Sequence, residues 1–223
     1  LKISKSLSFE QNKFRIFLSG GDTTFSNKLS FTITSMGYSD KIIYRNKAKL
    51  YDDIYITGNL GDSFFGLQIL KNKIKVKKKQ TNFFINKYYQ PELPLKLSKH
   101  LSKFANTSID ISDGLVGDLK KMINRQNLSF CLNENNIPIS QNLSKLIKTK
   151  KFNKMQMINN GDDYQILFTA DSKKSRIIDN TSKSTGIKIT KIGKIISGDN
   201  RSIIIDEKHK QIPAKYKGYI HQF

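Results

Sequence analysis

Acidic residues in glycine- or serine-flanked turns are the groups in this sequence best suited to chemistry. Only 18 of the 223 residues are Asp or Glu, yet several of them stand in such turns: Asp22 in GGDTT, Asp62 in LGDS, Asp110 and Asp113 in DISDG, and Asp162 and Asp163 in NGDDY. Carboxylate oxygens suit Mg²⁺, which keeps several waters and bridges substrate phosphates. Asp, Ser and Gly also favour turns and helix caps without any chemistry, so a purely structural role stays open for each turn.

The DISDG turn is the most informative of these segments. Asp110 ends a predicted strand and Asp113 follows three residues later, so both carboxylates can face one metal ion or nucleotide. Ser112 either caps the next helix or donates to a phosphate beside the positive end of that helix. Two carboxylates this close are costly unless a cation neutralises them. Asp118, inside the predicted helix, is expected to lie at the surface.

Several common catalytic arrangements are absent from the sequence. GGDTT and GNLGDS are not Walker loops, and neither GxxxxGK[ST] nor GxGxxG occurs. The three histidines, His100, His209 and His221, lie in different predicted elements, which argues against a metal triad or a Ser-His-Asp arrangement. The single cysteine, Cys131, excludes an internal disulfide framework, and its LSFCL context predicts a buried, inert thiol.

The elements that position these turns alternate irregularly between strands and helices. Hydrophobic spacing predicts helices at Phe64–Lys73, Lys96–Phe104 and Leu115–Asn124. Period-two alternation and β-branched runs predict seven strands: Lys13–Ser19, Lys28–Ser35, Asp53–Thr57, Ser108–Ile111, Gln165–Thr169, Ile187–Ile196 and Ile203–Lys208. The order is not a simple βαβ repeat, so we expect a mixed α/β fold rather than a barrel.

The net charge of +21 would by itself suggest a polyanionic partner. Only five of the 39 basic residues are arginine, however, and nucleic-acid readers depend on arginine for bidentate contacts. The composition therefore does not favour nucleic acid as a partner. No apolar run approaches the ~20 residues of a membrane helix, and residues 1–20 lack the features of a secretory signal. We expect a soluble cytoplasmic protein without a membrane partner.

Five segments, read in order along nearly the whole chain, together closely resemble the thiamine-monophosphate kinase family. Each is weak alone, but their order makes the resemblance specific: Gly20–Thr24, Asp53–Ser63, Ile109–Leu115, Gly161–Phe168 and Lys217–His221. The resemblance implies a mixed α/β, two-domain fold like that of aminoimidazole ribonucleotide synthetase, with an incomplete N-terminal domain. Residues 1–45 would be the remainder of the N-terminal ATP- and Mg²⁺-binding domain, and residues 46–223 the C-terminal synthetase-like domain.

The resemblance also implies an activity, in which the γ-phosphoryl group of ATP passes directly to the phosphate of thiamine monophosphate. By matching positions, the implied metal ligands are Asp22, Asp110 and Asp113. The implied ATP contacts are Gly21, Asp22, Arg45 and Ser112, and the implied substrate contacts are Asp162 and Tyr219. ATP would be the co-substrate, Mg²⁺ the cofactor, and the full-length protein a homodimer.

The sequence departs from the family pattern in three places. Asn160 and Asp162 stand where the family usually has Gly and Glu, and the tail reads GYIHQF without an acid before His221. Roughly the first third of the family's chain, which carries further Mg²⁺ ligands, has no counterpart. We expect that a chain beginning at Leu1 cannot complete the metal cluster. The alternatives are another ATP-dependent synthetase of the same superfamily, an inactive fragment, or a basic binding protein.

Overall fold

The computed structural model describes residues 2–150, 152–198 and 201–216, with the side chain of Lys150 left out. These residues form two compact units, residues 1–39 and residues 40–223. The boundary expected after residue 45 stays a prediction. The predicted contact Tyr219 lies outside the described residues.

The first unit contains one helix, α1 (Lys2–Phe14), followed by irregular chain. The strands predicted at residues 13–19 and 28–35 are wrong, because residues 15–39 have no strand assignment and their apolar side chains are exposed, Phe17 by 88% and Phe25 by 97%. A strand exists only where its backbone pairs with a neighbouring strand. The described residues offer these segments no such neighbour, and alternation alone does not make one.

The second unit is built on a mixed sheet of seven described strands. The strands are β1 (Asp53–Thr57), β2 (Thr107–Asp110), β3 (Leu128–Asn133), β4 (Ile166–Ala170), β5 (Ile189–Ser197), β6 (Ile203–Ile205) and β7 (Gln211–Pro213). Their spatial order is β2-β4-β1-β5-β3-β6-β7, and all neighbours are antiparallel except β3 and β6. The expected mixed α/β class is confirmed, as are the five predicted strands of this unit.

Helices cover the sheet. They are α2 (Asp62–Leu70), α3 (Lys78–Tyr89), α4 (Leu95–Leu101), α5 (Leu115–Met122), α6 (Gln141–Lys150), α7 (Lys154–Ile158) and α8 (Ser175–Thr185), and two short 3₁₀ turns occupy Glu134–Asn136 and Ser172–Lys174. The three predicted helices correspond to α2, α4 and α5. Cys131 lies in β3 but is only half-buried, so the expectation of a buried thiol is wrong; its side chain alternates with those of the buried Phe130 and Leu132.

Strand β1 is covered on both faces, as an interior strand of a sandwiched sheet should be. Ile54 and Ile56 join the main core, which includes the predicted inward face of α5: Leu115, Leu119 and Met122. Tyr55 faces the other way and stacks on Phe168 with ring centroids 5.3 Å apart, in a second cluster completed by α4 and α8. The buried strand β1 pairs with β4, and β4 pairs with β2. This pairing fixes the ends of β2 and β4, next to which the acidic turns lie.

Helices α2 and α3 pack closely enough that only glycine fits at residue 66. A Cβ atom built on Gly66 would lie 2.2 Å from the carbonyl oxygen of Phe84, the residue that fills the third core cluster with Phe65.

We expect Gly66→Ala to lower the free energy of unfolding by about 2 kcal/mol through overpacking. Helix propensity alone predicts that the same substitution raises the free energy of unfolding by about 1 kcal/mol. The sign of the measured change therefore separates overpacking from helix propensity. Urea unfolding followed by circular dichroism measures it. The matched control is Gly37→Ala, where a Cβ meets nothing within 4 Å. Stabilisation by Gly66→Ala would contradict the described packing.

Candidate functional site

Two acidic loops, one after β2 and one before β4, are joined through their backbones. We call them the DISDG loop (residues 110–114) and the NGDDY loop (residues 160–164). Pairing of β2 with β4 brings Asp110 opposite Ile166, and hydrogen bonds continue the ladder beyond the strands. The N–H of Tyr164 donates to the Ile111 carbonyl and the N–H of Asp162 to the Ser112 carbonyl, both at 2.9 Å. Segments far apart in sequence are thus held at one sheet edge.

The NGDDY loop holds an unusual backbone conformation. Gly161 has φ +80°, and a Cβ there would lie 2.0 Å from the Ser112 carbonyl oxygen. Asp162 and Tyr164 also have positive φ, 61° and 50°, which is uncommon for residues other than glycine. Such strained conformations persist only where the surroundings impose them, and they cluster at functional sites.

Four of the predicted residues come together here: Asp110, Ser112, Asp113 and Asp162. Burial and the nearby charge of Asp113 both raise the pKa of Asp162. Burial, together with the charges of Asp162 and Asp110, likewise raises the pKa of the Tyr164 hydroxyl. Burial is the main cause of both shifts, and neighbouring carboxylates add to it, so several acidic side chains lie close together at this edge of the sheet.

Gly21, Asp22 and Arg45 lie in other segments of the chain. Gly21 and Asp22 are exposed in the first unit, where the N–H of Thr23 donates to the Asp22 carboxylate at 2.7 Å. Arg45 is exposed in the second unit, next to Asn46, whose N–H donates to the Met122 carbonyl at the end of α5.

The donor set is suited to Mg²⁺. No group of three metal-ligating side chains occurs within the described ranges. Mg²⁺ in phosphoryl-transfer sites is typically held by one or two carboxylates, with substrate phosphates and water completing the shell. Asp110 and Asp113, two carboxylates on one loop, fit that pattern.

Asp118 is the residue that the sequence reasoning misplaced. Instead of lying at the surface, it is 1% exposed, and its Oδ2 accepts the N–H groups of Ser112, Asp113 and Gly114 at 3.0, 2.9 and 3.1 Å. The N-cap position of α5 is Gly114, without a side-chain cap, so the capping role considered for Ser112 is wrong. One carboxylate thus satisfies the backbone donors of the DISDG loop and fixes its shape.

Asp62 and Asp163, the latter within the NGDDY loop, form a second acidic pair, and both are buried. Both carboxylate oxygens of Asp163 accept the N–H of Gly61, at 3.0 and 2.9 Å, and the Ser140 hydroxyl donates to Asp62 at 2.7 Å. Burial raises the pKa of Asp163 to about 8 and that of Asp62 to about 6. Asp163 ties the NGDDY loop to the turn before α2, whereas Asp62 ties the start of α2 to Ser140, and both side chains are buried.

A cavity of about 600 Å³ lies elsewhere and is lined by none of the predicted site residues. Its walls include Ile137, Ser144, Lys154, Lys188 and Glu207. The half-buried ammonium group of Lys154 already donates to the Glu134 carbonyl at 2.5 Å. In the part of the chain that the structure describes, no helix has the length and apolar character needed to cross a membrane.

Known proteins resemble the chain over most of its length, although no family model matches it. It is 35% identical over 221 residues to the thiamine-monophosphate kinase of Buchnera aphidicola subsp. Schizaphis graminum, covering 98% of this chain and 68% of the relative. The corresponding enzyme of Buchnera aphidicola subsp. Acyrthosiphon pisum is 34% identical, with 99% and 68% covered.

A solved structure of AaThiL complexed with AMPPCP and TMP superposes with a TM-score of 0.66 at 26% identity, covering 81% of this chain and 54% of that one. The chain therefore spans about two thirds of the length of these curated relatives and about half of the solved chain.

We expect Asp118→Asn to lower the free energy of unfolding by about 3 kcal/mol, because it weakens a buried acceptor of three backbone donors. Chemical denaturation measures the change. Asp179→Asn, an exposed aspartate within α8, is the control and should change stability by less than about 0.5 kcal/mol. Equal effects of the two substitutions would contradict the structural role of Asp118.

The buried Asp163 makes stability depend on pH. Its pKa in the folded protein, about 8, lies above the ordinary value of about 3.9, so the folded state binds the proton more tightly. Stability from this group is therefore present at low pH and is lost as pH rises toward 8, by up to about 1.4 kcal/mol per pH unit.

Denaturation between pH 5 and pH 8 tests this dependence. A neutral amide mimics the protonated acid, so Asp163→Asn should flatten the pH profile relative to the unmodified protein. Asp40→Asn, at an exposed position, should leave the profile unchanged. Parallel profiles for Asp163→Asn and the unmodified protein would contradict the assignment.

Proposed function

The chain belongs to the thiamine-monophosphate kinase family, and we propose that the protein carrying it phosphorylates thiamine monophosphate to thiamine diphosphate with ATP as donor. The observation that carries this proposal is the backbone pairing that gathers Asp110, Asp113 and Asp162 at one negative sheet edge. The relative AaThiL, crystallised with AMPPCP and TMP, supports the choice of donor and acceptor.

The chemistry requires little from protein acids and bases. The attacking oxygen belongs to a phosphate that is already anionic, so no general base is needed, and positioning and charge neutralisation dominate. This agrees with two loops that contain carboxylates, a serine and a tyrosine but no histidine. The rigid pairing of the loops would hold donor and acceptor phosphates in a fixed relation.

Mg²⁺ is part of the proposal. Asp110 and Asp113 would hold it, with Asp22 of the first unit as a further ligand. When bound, such an ion would neutralise the negative charge of the phosphates. The carboxylates themselves would orient it, and the backbone bonds between the two loops that bring Asp162 near Asp113 support a cation there.

The nucleotide and substrate contacts are proposed residue by residue. Ser112 sits beside Asp113 at the start of α5 and would donate its hydroxyl to a phosphate oxygen of ATP. The guanidinium of Arg45 would make bidentate hydrogen bonds to phosphate, and Gly21 would let the backbone approach the nucleotide. Asp162 is half-buried, and its carboxylate would face the cationic thiazolium of thiamine monophosphate. Tyr219 would stack on the same substrate.

Three broader features are proposed with the activity. Residues 1–45 belong to the N-terminal, nucleotide-binding domain of the family and residues 46–223 to its C-terminal domain. The full-length protein forms a homodimer, and it works in the cytoplasm.

The test is formation of thiamine diphosphate from ATP and thiamine monophosphate by the protein that contains these residues, with and without Mg²⁺. We expect activity only with Mg²⁺, and a fall in kcat of about 100-fold or more in Asp110→Asn, which removes a charge that orients the cation. Asp179→Asn should retain full activity.

Two results would count against the proposal in different ways. Undiminished turnover in Asp110→Asn would refute the assignment of the site while leaving the reaction intact. Failure to form thiamine diphosphate, or thermal protection by ATP but not by thiamine monophosphate, would favour another ATP-dependent synthetase of the superfamily.

A further inference from the structure

Lys121 is the cation that the structure places on the DISDG carboxylates. Its Nζ lies 3.0 Å from Oδ1 of Asp118 and forms an ion pair with Oδ2 of Asp113. A lysine ammonium group carries its positive charge throughout the physiological pH range.

The two carboxylate oxygens of Asp118 have different partners, and this difference determines where the Lys121 ammonium group lies. Oδ2 of Asp118 is occupied by three backbone N–H groups of the loop, and Oδ1 is left for Lys121. Because the loop's backbone bonds go to Oδ2 alone, they do not require Lys121. The lysine reaches from the fixed carboxylate of Asp118 to the more exposed carboxylate of Asp113.

A divalent cation at Asp113 must therefore compete with a resident positive charge. Lys121 is 45% exposed at its side chain, whereas Asp118 is 1% exposed, so the lysine is the member of the trio that is free to move. A cation that approaches Asp113 meets a carboxylate oxygen already engaged and a like charge beside it.

We infer that Lys121 is a positioning residue that occupies the cation side of Asp113 when the site is empty and thereby lowers its affinity for a divalent cation. The inference rests on the proposed cation-binding role of Asp113. It deepens that proposal because it assigns control of the site's cation affinity to Lys121, a residue that the family resemblance does not name as a ligand.

Mn²⁺, a paramagnetic substitute for Mg²⁺, gives the direct test, with binding to the protein that contains this chain measured by electron paramagnetic resonance in the absence of nucleotide. We expect Lys121→Gln to tighten Mn²⁺ binding by about tenfold, because it removes both the competitor and the like charge. Lys121→Arg keeps the charge and should leave the affinity within about twofold of the unmodified chain.

Two further variants separate a local effect from a general change in charge. Lys120→Gln removes a charge from the adjacent position, but the Lys120 ammonium donates to the carbonyls of Ala214 and Tyr216 rather than to the acids. It should change the affinity by less than about twofold. The double variant Lys121→Gln/Asp113→Asn should lose the gain entirely, since the competed carboxylate is gone.

The inference is overturned if Lys121→Gln binds Mn²⁺ no more tightly than the unmodified chain, if Lys120→Gln gives the same gain, or if the gain survives in the double variant. Absence of saturable Mn²⁺ binding by Lys121→Gln overturns it as well. The measurement uses neither ATP nor thiamine monophosphate, so its outcome is independent of whether the protein proves to be a thiamine-monophosphate kinase.

Discussion

The buried carboxylate of Asp118 is the interaction on which the acidic site depends. A single oxygen accepts three consecutive backbone N–H groups, and without it these donors would be left unsatisfied at the start of a buried helix. The cost of burying the charge is offset by these bonds and by Lys121. As a result, Asp110, Ser112 and Asp113 are presented on a loop of defined shape rather than on a mobile turn.

The second constraint is the backbone pairing that brings the NGDDY loop against that shape. Gly161 allows an approach that any side chain would block, and the buried Asp163 ties the far side of the loop to Gly61. The site thereby concentrates negative charge on a protein whose net charge is +21. A surface of positive net charge attracts anions by general electrostatics, whereas these carboxylates are the groups at this edge suited to a cation.

The sequence predicted the local features of this arrangement and missed those that depend on tertiary partners. Periodicity sufficed for β1, β2 and α5, whose apolar residues are buried as expected. The same periodicity was misleading at residues 28–35, because strand formation requires a neighbour that local sequence does not specify. Asp118 was assigned to the surface because a charged helical residue usually lies there; only the packing of α5 against the loop reveals its three backbone donors. The candidate acids were found from their turns, but their meeting depends on the pairing of β2 with β4.

Amide hydrogen exchange measured by NMR at Ser112, Asp113 and Gly114 tests whether Asp118 fixes the DISDG loop. If Asp118 holds these donors, the three amides exchange slowly, with protection approaching that of the paired amides of β2 and β4 and far above that of an exposed turn. Exchange at the rate of unprotected loop amides would show that the carboxylate does not fix the loop, and the account of a preformed acidic site would fail.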